Sequence, residues 1–164
     1  MAPKNSPKTF DERVAFLKEK AKDVRFRIVD MIHTAQSGHP GGSLSAADIV
    51  TALYFDILNV DPKKPRDPGR DRFVLSKGHA CPVWYANLAL RGFFSLEELK
   101  TLRKFESKLQ GHPVSTKTPG VDATTGSLGI GFGQAVGMAL EGKMLKKNYK
   151  VYALLGDGDR KSVV

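Results

Sequence analysis

Lys150-Val-Tyr-Ala-Leu-Leu-Gly-Asp-Gly-Asp159 is the stretch that decides the fold. Val151 to Leu155 is a short apolar run, with a Lys-rich turn before it and a Gly-Asp-Gly turn after it. Such a run reads as a buried strand of a parallel sheet that ends in a ligand loop. In open α/β sheets, ligands collect beyond the carboxyl ends of the strands. The two glycines let backbone approach a ligand closely, and Asp157 between them offers a hard oxygen to Mg²⁺ or Ca²⁺.

Working back from that strand, a second one is read at Phe73-Val-Leu75, followed by Ser76-Lys-Gly-His79. Between the two strands, Asp122-Ala-Thr-Thr-Gly-Ser-Leu-Gly-Ile-Gly-Phe-Gly133 opens a helix that runs to about Lys147. The backbone N–H groups of such a turn and helix start can hold an anion. Gly129-x-Gly131-x-Gly133 is not a dinucleotide fingerprint, because its spacing differs and no strand precedes it. The alternative use of these glycines is close helix packing, with Gly133 and Gly137 on one face.

The N-terminal part reads as helices. Thr9 and Glu12 form a capping box. Val14, Leu17, Ala21, Val24, Ile28, Met31 and Ala35 then mark one amphipathic helix of about 25 residues, ended by Gly38 and Pro40. Gln36-Ser-Gly-His-Pro-Gly-Gly-Ser-Leu-Ser45 reads as a tight loop centred on His39. Ser45 with Asp48 is expected to cap a second helix whose face is Ile49, Val50, Leu53, Tyr54, Ile57 and Leu58. Pro82 suits the first turn of a third, well-buried helix that runs to about Gly92 and carries Trp84, Tyr85, Leu88 and Leu90. Ser95 and Glu98 open a fourth, with Leu96, Leu99 and Leu102. Of the four histidines, His39, His79 and His112 lie in Gly-containing loops, while His33 lies on the first helix and reads as structural. A loop histidine can be a plain turn residue, or it can bind an oxyanion or move a proton.

The chain of 164 residues is long enough for one domain with a core, at 41% hydrophobic and 26% charged residues. No apolar run approaches the roughly 20 residues a membrane span needs. The polar N-terminus lacks the apolar region of a signal peptide. The single cysteine, Cys81, has no partner for an internal disulfide, which fits a reducing compartment. The net charge of +9 comes from scattered lysines and from Arg66, Arg70 and Arg72 alternating with Asp67 and Asp71. No basic run is interleaved with aromatics, so a nucleic-acid face is not expected, and a phosphorylated substrate would suit the same positive field.

Taken in order, the loops resemble those of the transketolase family. They are Ser37-Gly-His-Pro-Gly-Gly42, Asp71-Arg-Phe-Val-Leu-Ser-Lys-Gly-His79, Gln110-Gly-His-Pro113, Thr118-Pro-Gly-Val121, Thr125-Gly-Ser-Leu-Gly129 and Leu155-Gly-Asp-Gly158. The wording is most similar to the split type, whose N-terminal half is a separate subunit. The resemblance implies an α/β fold, the first half of a doubly wound parallel-sheet domain that binds thiamine diphosphate. It implies transfer of a two-carbon ketol unit from a ketose phosphate to an aldose phosphate in the complete, cytoplasmic enzyme of the pentose phosphate pathway. His39 and His112 would then face the substrate, and His79 the diphosphate and thiazolium. Gly126, Ser127, Leu128 and Gly158 would hold the cofactor, and Asp157 would bind Mg²⁺ (or Ca²⁺). The implied partner is a pyrimidine-binding domain or C-terminal transketolase subunit, in a homodimer or heterotetramer. Deoxyxylulose-phosphate synthase is the nearest alternative of the same cofactor class, and a non-catalytic fragment or assembly partner is the alternative from another class.

The sequence departs from the family in three places. Ile130 stands where Gln is common, and Cys81 where a smaller residue is usual. After Gly158, Asp159-Arg-Lys-Ser-Val-Val164 replaces the family's acidic segment, and it is one translation of common sequencing-adapter DNA. The expected organisation is therefore a disordered N-terminus over residues 1–9, a partial diphosphate-side domain over 10–158, and a non-family tail over 159–164 left by truncation. On that reading Asp157 lacks its second metal ligand within the chain, and the chain alone is inactive.

Overall fold

Helix α1 (Phe10–Ala35) starts as its spacing requires. The Thr9 hydroxyl accepts from the Glu12 N–H, and the Glu12 carboxylate accepts from the Thr9 N–H. Thr9 is thus ordered as a cap. The computed structural model describes residues 9–162, so residues 1–8 of the expected disordered segment and the last two residues of the expected tail lie outside the described residues. Ala21, Val24, Ile28 and Met31 form the buried stripe of α1. The helix ends two residues before Gly38, on Gln36 in the left-handed region at φ 49°.

The next segment corrects the expectation of one loop and one helix. Pro40–Leu44 already winds into a short helix, α2, because the fixed φ of Pro40 suits a first helical position. The Ser45 hydroxyl donates back to the Gly42 carbonyl at 3.1 Å, so it does not cap the helix after it. Asp48 pairs with Arg25 on α1 instead. Helix α3 (Ala47–Ala52) then loosens into a π turn over Leu53–Ile57. Val50, Leu53, Tyr54 and Leu58 of the expected face are buried, whereas Ile49 and Ile57 are exposed.

Strand β1 (Arg72–Leu75) pairs in parallel with β2 (Val151–Leu154), in the register Arg72↔Val151 to Leu75↔Leu154. Between them come α4 (Cys81–Arg91), a 3₁₀ turn at Leu96–Thr101 where a longer helix is expected, and α5 (Ile130–Met144). The Ser95–Glu98 box does open that 3₁₀ turn. Side chains alternate across the sheet. Phe73 and Leu75, with Tyr152 and Leu154, face the main core built by α1, α3 and α4. Val74 and Val151 face Ala135 and Met138 of α5. Helices therefore cover both faces of a parallel sheet, which is the α/β doubly wound arrangement. Strand β1 is buried, while β2 is only half-buried, contrary to the expected buried strand, because β1 is its one neighbour among the described residues.

Trp84 and Tyr85 of α4 are fully buried, and Trp84 Nε1 donates to the Tyr54 hydroxyl. Phe73 meets Trp84 edge-on with ring centroids 5.1 Å apart. On the other face, the glycine packing differs from that expected: Gly133 and Gly137 face open space. Gly131 is the close contact, since a Cβ there would lie 2.6 Å from the Ser76 Cα. Gly131 thus brings the start of α5 against the carboxyl end of β1.

One buried ion pair fixes the other end of that layer. Asp122 accepts from the Phe73 N–H at 2.9 Å and from Arg70 Nη1 at 3.0 Å, with Arg70 Nη2 at 2.6 Å from its other oxygen. Both side chains are almost fully enclosed, at 9% and 4% exposure. The Gly-rich segment is thereby tied to the start of β1.

Candidate active site

The site is built at the carboxyl ends of β1 and β2. His79 lies in a 3₁₀ turn (Gly78–Ala80) directly after β1. That turn is clamped from one side, because a Cβ on Gly78 would lie 2.7 Å from the Thr125 backbone. Thr125 in turn donates its hydroxyl to the Leu75 carbonyl at 2.8 Å. His39 precedes α2, and its carbonyl is held by the Ser43 hydroxyl at 2.8 Å. The His39 and His79 rings meet edge to face, with centroids 5.2 Å apart. His112 packs on Gly126, where a Cβ would touch its ring at 3.4 Å. The three loop histidines therefore gather around the Thr125-Gly126 turn. His33 stays exposed in the last turn of α1.

Burial lowers the His79 pKa, and the neighbouring charges of His39, Lys77 and His112 add to that, with Asp159 opposing. Burial also lowers the His112 pKa, followed by Arg103 and His39. Both imidazoles thus resist protonation in the folded chain. The unfolded chain takes up protons near the ordinary histidine value of about 6.5, before the folded chain does. Stability against urea should consequently fall as pH drops through that value. The slope should flatten in a His79→Asn, His112→Asn double variant; equal slopes would show that these two groups are not the ones titrating.

Beside the histidines lies a cleft of about 350 Å³, lined by Gly41, Gly42, Ser45, Lys77, His79, Leu128 and Gly156 to Asp159. Asp157 is the first residue of the short helix α6 (Asp157–Lys161), where a plain turn is expected from sequence, and it is exposed. Gly158 faces Leu128, with a Cβ reaching no nearer than 3.9 Å. Of the expected site residues, His79, Leu128, Asp157 and Gly158 line the cleft. His39 packs on His79 and His112 on Gly126 without lining it, and Ser127 is not among the lining residues either. Lys77 and Asp159 are cleft residues that sequence reasoning misses. Lys77 donates to the Gly42 carbonyl at 3.1 Å and to the Ser45 hydroxyl at 3.3 Å. Burial lowers its pKa, while Asp157 and Asp159 oppose that. Asp159, only 1% exposed, accepts through Oδ1 from the Ser76 hydroxyl at 3.0 Å and from the Gly129 N–H at 2.7 Å. Each residue sits beside a legible motif, Lys77 before Gly78-His79 and Asp159 after Gly158, but only the fold brings the two together.

A diphosphate with its metal ion fits this donor set. The exposed Asp157 carboxylate is a hard oxygen ligand, Gly41 and Gly158 leave backbone open to close approach, and Lys77 supplies positive charge. Asp159 Oδ2 is buried without a hydrogen-bond partner at the edge of the same cleft. Among the described residues, no group of three or more His, Cys, Asp or Glu side chains is placed to hold a metal alone. No helix among them is long and apolar enough to cross a membrane.

Comparison with known proteins bears on the domain and its fold. Residues 17–161 match the family model described as transketolase, thiamine diphosphate binding domain. An apulose-4-phosphate transketolase subunit of Phocaeicola vulgatus is 45% identical over 148 residues, covering 90% of this chain and 52% of that protein. Human transketolase is 46% identical over 149 residues, covering 90% of this chain and 24% of that protein. The structure of Pichia stipitis transketolase in complex with sedoheptulose-7-phosphate superposes with a TM-score of 0.84 at 37% identity, covering 88% of this chain and 23% of that one. The chain thus spans about half the length of the Phocaeicola relative and about a quarter of the human one. On the matched domain and the shared fold, the chain belongs to the transketolase family, as its N-terminal thiamine diphosphate-binding portion.

Proposed function

We propose that this chain is the diphosphate-side part of a transketolase. It would hold thiamine diphosphate with Mg²⁺ (or Ca²⁺) and serve ketol transfer between sugar phosphates once a pyrimidine-binding domain or C-terminal transketolase subunit completes it. The observation that carries this reading is the meeting of His39, His79 and His112 beside a cleft bearing Lys77, Asp157 and Gly158. Relatives named as transketolase subunits support a partner on a second chain, and the assembly proposed for that case is a heterotetramer. The longer human relative supports a completing domain on the same chain, and the assembly proposed for that case is a homodimer. The relatives are named for different sugars, apulose-4-phosphate and 6-deoxy-6-sulfo-D-fructose, so no single sugar is assigned to this chain. A cytoplasmic place in the pentose phosphate pathway follows from the same reading.

When bound, thiamine diphosphate supplies the carbanion chemistry. The residues of this chain bind and orient. Asp157 would offer its carboxylate to the metal, and the backbone of Gly126, Ser127, Leu128 and Gly158 would hold the cofactor. His79, kept from protonation by burial, can accept a hydrogen bond there. His39 and His112 would donate from their ring nitrogens to a substrate oxygen as it gains negative charge, or hold its proton.

Calorimetric titration of thiamine diphosphate with Mg²⁺ into the chain, by itself and with a C-terminal transketolase subunit, tests the reading. Metal-dependent binding in either case supports it; binding in neither overturns it. In the completed enzyme, His39→Ala should slow ketol transfer by roughly a hundredfold, the scale of one lost proton-transfer or oxyanion partner. Cofactor affinity should stay nearly unchanged; an equal loss of both would make His39 a structural residue.

A further inference from the structure

Arg103 lies on the turn after the Leu96–Thr101 segment, far in sequence from the first histidine loop. Its backbone is in the left-handed region at φ 60°, which side-chain-bearing residues rarely adopt. Its N–H is spent on the Leu109 carbonyl at 2.9 Å. Glycine would occupy that backbone without strain, so it is the side chain that makes the position worth holding. The guanidinium reaches in two directions. Nη1 donates to the Ser37 hydroxyl at 2.8 Å, two residues before His39. Nε and Cζ lie over Gly111, where a Cβ would sit only 2.9 Å and 3.1 Å away, one residue before His112. Gly111 therefore admits the guanidinium because it has no side chain. Among the described residues Arg103 forms no ion pair.

We propose that Arg103 is a positioning residue that clasps the Ser37-Gly38-His39 turn to the Gly111-His112 turn and so sets the spacing of the two imidazoles. The clasp uses both properties of the group. A planar fork can donate to a hydroxyl while it stacks on a flat peptide, which an ammonium cannot do. Its charge also disfavours a second positive charge on His112. The other titratable groups around Arg103 and His112 are His39 and His79, with the Cys81 thiol and the Tyr85 phenol also beside Arg103. The clasp rests on the proposed function only in calling these imidazoles substrate-facing.

The test uses the 164-residue chain without cofactor and follows the imidazole C–H resonances of all four histidines against pH by NMR. Arg103→Gln should move the His112 midpoint upward and shift the Gly38 and His39 amide resonances, leaving His33 where it was. Arg103→Lys should keep the His112 midpoint close to wild type yet shift the Gly38 and His39 amides. Ser37→Ala should shift the Gly111 and His112 amides, which are distant from it in sequence, and it decides the matter if Arg103→Gln does not fold. Unmoved Gly38 and His39 amides in an Arg103→Gln chain that keeps its native spectrum elsewhere would overturn the clasp, as would unmoved Gly111 and His112 amides in Ser37→Ala. Because no cofactor enters the titration, failure to bind thiamine diphosphate would remove the functional reading without touching this result.

Discussion

Asp157→Ala is expected to weaken metal-dependent thiamine diphosphate binding by at least tenfold in the completed enzyme. The carboxylate is exposed at the cleft, with Gly156 and Gly158 on either side of it. Partners that merely orient a metal ligand already cost about 10–100-fold in metal affinity when removed. A direct ligand should cost no less. The effect belongs to the metal, so it should be largest at low Mg²⁺ and shrink as Mg²⁺ is raised. Calorimetric titration at two Mg²⁺ concentrations reads both features. Wild-type affinity at low Mg²⁺ would remove Asp157 from the metal site.

Asp122→Ala should be the most damaging single change to the fold, at about 3–5 kcal/mol. The reason lies in what it leaves behind. Arg70 would keep a buried guanidinium with its carboxylate gone, and the Phe73 N–H would lose its acceptor at the head of β1. The start of the Gly-rich segment would lose its anchor at the same time. The urea midpoint should drop steeply with an unchanged slope. Replacing both members, as Arg70→Met with Asp122→Leu, should recover part of the loss, because the buried Arg70 charge is then not stranded. Arg72, 3.9 Å from Asp122, and the Phe73 N–H still lose their carboxylate. A midpoint within experimental error of wild type for Asp122→Ala would show that Arg70 finds another partner.

How much could be read beforehand depended on the range of the interaction. Short-range signals were legible. The stripe of α1, both capping boxes, the parallel strands at Phe73 and Val151 and the Pro82 start of α4 depend on neighbours three or four residues away, or on a plain apolar run. The three loop histidines stood out because glycine surrounds each of them. Long-range facts were not legible. Pro40-Gly-Gly is a poor helix by propensity, and α2 forms where Gly42 can lie against the His79 ring. Which glycine of α5 packs closely depends on where the sheet lies, so Gly131 rather than Gly133 or Gly137 carries that contact. Burial of β2 depends on its neighbours rather than on its own apolar residues. Asp159 read as the start of a tail because its partners, Ser76 and Gly129, are distant in sequence.

That Asp159 contact bears on how such a chain can vary. One carboxylate oxygen joins the residue after β1, the turn before α5 and the segment after β2. Three separate stretches thus share a common pin. Residues of each that touch neither the pin nor another stretch could be exchanged without disturbing the others, unlike Gly78 against Thr125 and Gly131 against Ser76. None of the three stretches could gain or lose a residue between its strand or helix and the pin without dragging the pin away from the other two. Tolerance to substitution and intolerance to insertion should therefore coexist around this cleft, and length, more than wording, is what these three stretches must keep.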